Sequence, residues 1–87
     1  MLVGKVVGSV VSTRKNQNLV GNKFMIIEPL TKFTGEGTRI VAVDNVGAGM
    51  GEAVLVATGS AARIGIDDAT APIDAAIVGI IDDATGL

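Results

Sequence analysis

Residues 47–52 read Gly47-Ala48-Gly49-Met50-Gly51-Glu52, and this is the stretch whose composition could hold a ligand by its backbone. Three glycines at alternate positions permit positive φ angles or close backbone approach, which a phosphate-binding turn exploits. The details argue for packing instead. A dinucleotide fingerprint needs G-x-G-x-x-G at a strand-to-helix junction, but here the sixth position is Glu52, whose carboxylate repels a pyrophosphate, and a strand-like run follows. No G-x-x-x-x-G-K-[ST] occurs either. With no histidine and no cysteine, the chain lacks the parts of a triad, a thiolate nucleophile or a zinc-thiolate site. The carboxylate pairs Asp67-Asp68 and Asp82-Asp83 are sequence neighbours, which point apart on extended backbone, and DDATAP lacks the spacing of a calcium loop. The expectation is a protein that is not an enzyme and holds no metal or cofactor.

The elements that would position the glycine turn are strands. Residues 2–12 alternate as Val3, Val7 and Val11 on one face and Leu2, Val6 and Val10 on the other, so burial on both sides is expected, with Gly4 and Gly8 at bends. A polar stretch precedes a second strand over 23–29, ended by Pro29, with Phe24, Ile26 and Glu28 opposite Met25 and Ile27. A third strand spans 38–44 and leads into the turn; a fourth, 52–58, leaves it. Ser60 is placed to cap a helical turn over 61–64 closed by Gly65, and a last strand runs over 75–81. Five short strands with one short helical turn predict a small all-β, OB-like five-stranded barrel, and without a composition break the 87 residues form a single domain.

Composition points to assembly. The chain is 48% apolar but has only two aromatic residues, Phe24 and Phe33. A domain of this size leaves much of its surface exposed, so an aliphatic excess is expected to cover subunit interfaces. The net charge of −2 divides unevenly: residues 1–40 carry six cations and two anions, residues 41–87 one cation and seven anions. This is compatible with ordinary solvated charge, or with the basic half of one copy docking on the acidic half of another. Arg14, Lys15 and Arg63 are the candidate inter-subunit charges. No apolar run reaches about 18 residues and no charged-then-apolar leader opens the chain, so a cytoplasmic protein without a membrane partner is expected.

An OB-like barrel also raises single-strand nucleic-acid binding, for which such folds use a basic groove and stacking aromatics. The cluster of Arg14, Lys15, Lys5 and Lys23 supports that alternative, whereas the lack of Tyr and Trp and the acidic balance weigh against it. A lipoyl- or biotinyl-type carrier would need an acceptor lysine in a hairpin turn, and none is so placed.

The segments GKVVGSVVSTRK, LVGNK followed by an apolar strand and Pro29, AVDNVGAGMGEAVLV, GSAAR and PIDAAIVGIID occur in this order along nearly the whole chain. In them the chain resembles the EutN/CcmL family of bacterial microcompartment vertex proteins, departing at Ala61, where a second serine is usual. The resemblance implies an OB-like barrel that forms homopentamers around a narrow axial channel. It also implies a role capping the vertices of a polyhedral shell, beside hexameric shell proteins, with no catalysis, no cofactor and no nucleic acid. Around a fivefold axis, five copies of a loop crowd together, so Gly47, Ala48, Gly49, Met50, Gly51 and Glu52 are the candidate assembly or axial-channel loop. Glu52 would add charge there or pair with a neighbour's base, or else cap its strand on an exposed rim.

Overall fold

The computed structural model describes residues 1–11, 23–30, 38–66 and 73–82. Five strands, β1 (Leu2–Val10), β2 (Lys23–Pro29), β3 (Ile40–Asp44), β4 (Ala53–Thr58) and β5 (Ala75–Ile80), close into a barrel in the order β1-β2-β3-β5-β4. All neighbours are antiparallel except β3 and β5. Closure leaves the sheet without a free outer strand. This is the small OB-like barrel expected from the pattern, with strand limits within two residues of those read from the sequence.

Small aliphatic side chains fill the interior. Val6, Met25, Ile27, Ala42, Val54, Val56, Ala75 and Ile77 form one buried cluster, joined by Ala48 from the glycine turn. Alternation accounts for β2 beyond its exposed first residue, Lys23: Met25, Ile27 and Pro29 are buried, whereas on the other face Phe24 and Ile26 are half-buried and Glu28 is exposed. In β1 the expected burial of both valine faces does not hold: Val6 is buried, Val3 and Val7 are half-buried, and Val10 and Val11 are exposed. The reason is a bulge. Val6 pairs with Ile27 but Gly8 pairs with Ile26, so Val7 drops out of register and the inward face is lost beyond it.

Gly4 belongs to the close contacts of the core. A Cβ at this position would overlap Ile27 Cγ2 and lie 3.0 Å from the Glu28 carbonyl oxygen, so β1 and β2 meet here only because the side chain is missing.

Among the described residues one helix, α1 (Ser60–Gly65), follows β4 in the chain order and precedes β5, with Ala62 buried. Ser60 is not its cap. The cap is Gly59, at φ +65° and ψ −145°, which accepts the Ala62 N–H at 3.1 Å and donates its own N–H to Asp74 O at 2.7 Å. A serine side chain is not needed because the backbone turn at Gly59 already places these groups. Among the described residues no helix is long and apolar enough to cross a membrane.

Candidate functional site: the glycine turn between β3 and β4

β3 delivers the chain to the turn at Asp44 and β4 takes it away at Ala53. The intervening backbone is held by two carboxylates. Asp44 Oδ1 accepts the N–H groups of Val46 at 2.9 Å and Gly47 at 3.0 Å, while Oδ2 accepts that of Ala48 at 2.8 Å. Glu52 Oε1 accepts the N–H of Gly49 at 2.5 Å. Four consecutive amides, 46 to 49, are therefore satisfied by carboxylates of their own chain.

Local sequence explains the arrangement. An aspartate readily accepts hydrogen bonds from amides two or more residues ahead, and Gly47 supplies the φ of +83° that folds the chain back over the carboxylate. Gly51, at φ +84°, makes the second reversal. Its N–H donates to Val6 O at 2.8 Å and Val6 N–H donates to Glu52 O at 3.0 Å, so the turn is stitched to β1 before β4 begins. Asp44 is 5% exposed with every buried polar side-chain atom satisfied. A buried carboxylate is tolerable only when so bonded.

A cluster of consecutive amides is what a bound phosphate would require. Here Asp44 and Glu52 already occupy it, which supplies the structural reason why the glycine turn is a packing element. The turn points Ala48 into the core and leaves Val46 and Met50 exposed.

The structure thus brings together all of the expected loop residues, Gly47 to Glu52, and adds Asp44, which alternation alone places as one more residue of β3. The sequence signal for it was an Asp three residues before a glycine. Glu52 is exposed and accepts the Gly49 N–H within its own loop. Of the candidate charges, Arg63 is half-buried and its Nη1 donates to Ile73 O at 3.2 Å, tying α1 to the entry of β5; Arg14 and Lys15 lie outside the described residues. Arg39 and Glu28 form an exposed ion pair at 3.3 Å, of the kind that contributes little to stability. No cluster of potential metal ligands occurs among the described residues.

A closed aliphatic barrel whose β3–β4 turn satisfies its amides with carboxylates of its own chain defines a small all-β module. The family model described as ethanolamine utilisation protein EutN/carboxysome matches residues 1–82. The chain belongs to the EutN/CcmL family. It is 49% identical over 83 residues to the bacterial microcompartment shell vertex protein GrpN of Rhodospirillum rubrum, covering 94% of this chain and 93% of that one. It is also 49% identical over 83 residues to the carboxysome shell vertex protein CcmL of Synechocystis sp., covering 94% and 83%. Among solved structures, the GrpN pentameric microcompartment shell protein from Rhodospirillum rubrum superposes with a TM-score of 0.83 at 45% identity, covering 100% of this chain and 99% of that one. An ethanolamine utilization protein EutN superposes at 0.87 with 35% identity, covering 99% and 93%.

Proposed function

We propose that this protein is a structural shell protein. It forms homopentamers that cap the vertices of a bacterial microcompartment in the cytoplasm and close the polyhedral shell around encapsulated enzymes, with no catalytic step of its own. The observation that carries this reading is the full-length match to a pentameric shell protein at 45% identity, with the same barrel. The whole chain acts as one domain, and hexameric shell proteins are its partners along the pentamer's edges. Flat layers of hexamers cannot close a polyhedron, and fivefold units at the corners introduce the required curvature. The loop from Gly47 to Glu52 serves as an assembly contact, and Arg14, Lys15 and Arg63 supply charge between subunits.

Native mass spectrometry of the purified chain tests the pentamer. A closed pentamer without bound nucleotide is expected, whereas a monomer that shifts with an oligonucleotide would favour single-strand binding. Electron microscopy of hexameric shell proteins co-expressed with and without the chain tests the vertex role. Closed polyhedra only in its presence are expected, and equally closed shells in its absence would overturn the reading.

A further inference from the structure

Two exposed apolar features lie at opposite ends of the same strands. One is a groove of about 490 Å³ whose lining includes Leu2, Ile40, Val41, Thr58, Gly59 and Ala75, with Asp74 its charged residue. It is mainly apolar, and Val41 within it is 49% exposed. The described β3–β5 ladder runs through Val43↔Ala76 and Asp44↔Ile77, which leaves Ile40 and Val41 outside it. The other feature is the glycine turn, which projects Val46, 45% exposed, and Met50, 63% exposed, from backbone held by Asp44 and Glu52.

A copy cannot fill its own groove with its own turn. β3 and β4 both run between the two, from Ile40 to Asp44 and from Ala53 to Thr58, and a six-residue strand spans roughly 17 to 20 Å. A ring requires a different arrangement from a twofold dimer: each copy must present two unlike, complementary patches, one to each neighbour. The chain has such a pair, one concave and one convex, both apolar. Methionine is suited to the convex side because its unbranched side chain adapts to an irregular groove.

We propose that the turn of one copy seats Val46 and Met50 in the Leu2–Ile40–Val41 groove of the next, making this the repeating contact of the ring. The proposal rests on the pentamer reading above and names the surfaces that form it. It also assigns the Asp44 carboxylate a positioning role, holding the convex patch in the shape that the groove receives.

Cysteine pairing tests it cleanly, because the chain has no cysteine of its own. Val41→Cys and Met50→Cys are both at exposed positions, so folding is expected to survive. The double variant, oxidised with copper phenanthroline, should give a ladder reaching five chains on a non-reducing gel, while each single variant stays at one chain. Co-expression of the two single variants should give a two-chain band, which covers the case in which the double variant does not assemble. Native mass spectrometry of the unmodified chain is run alongside. A pentamer with no cross-linked species from either experiment overturns the proposed pairing and leaves the groove to another partner, such as the edge of a hexamer. Two-chain bands from a single variant alone would equally overturn it, since they report like surfaces meeting. A monomer in the unmodified chain would sink the pentamer reading itself.

Discussion

The carboxylate of Asp44, the last residue of β3, accepts the backbone N–H of Ala48 at 2.8 Å where both residues are buried. This contact helps couple the barrel core to the exposed turn, because Ala48 belongs to the buried cluster while Val46 and Met50 on either side of it are exposed. Asp44→Ala should therefore cost roughly 2–3 kcal/mol in urea denaturation at fixed protein concentration, from the loss of charge-assisted hydrogen bonds. Asp44→Asn, which keeps an acceptor for Val46 and Gly47, should cost less. Native mass spectrometry should show weakened pentamers for Asp44→Ala with strand circular dichroism retained; an unchanged pentamer would remove the positioning role.

A bulky residue at Gly49 should act on assembly more than on the barrel. A Cβ at Gly49 would lie 3.0 Å from Glu52 Oε1, so the indole of Gly49→Trp must displace the carboxylate that holds the turn. Monomers or aggregates in native mass spectrometry are expected. An intact pentamer would show that the turn takes no part in assembly.

The two glycines of β1 should differ. Gly4→Ala forces a methyl group into Ile27 Cγ2 and near the Glu28 carbonyl and should destabilise by about 1–3 kcal/mol, as overpacking does. Gly8→Ala is tight only against the terminal Cδ1 of Ile26, at 3.2 Å, a flexible end that can turn aside, and its contacts with Ile26 Cβ and Cγ1, at 3.7 Å, are of ordinary van der Waals length. Equal losses from the two in urea titrations would show that the close approach at Gly4 is relieved elsewhere.

Ile77 is 1% exposed in the aliphatic core, and Ile77→Ala should cost about 2–5 kcal/mol, with the larger value if the barrel cannot collapse onto the cavity. A loss below about 0.5 kcal/mol, in the range of surface substitutions, would contradict its place in the core.

Charge reversal tests the basic half. Arg14→Glu should weaken the pentamer, and more at low salt, where attraction between the basic and acidic halves is least screened. Dilution experiments at two ionic strengths would expose the effect, and no change at either would remove Arg14 from the contact.

The amino-acid sequence by itself determined the number and placement of the strands, the turn between β3 and β4, and the family. Two-residue alternation in residues 23–29 and 40–44, and motifs such as AVDNVGAGMGEAVLV, are local properties that need no partner to be read. Only the tertiary structure decided that Asp44 faces inward as the acceptor for the turn, because alternation assigns a side but not the amides that fold back over it. It alone decided that β1 loses its inner face after Val6, since a bulge is a misfit between two strands and belongs to neither sequence. The groove is of the same kind: Leu2, Ile40, Thr58 and Ala75 lie far apart along the chain and become one surface when the barrel closes.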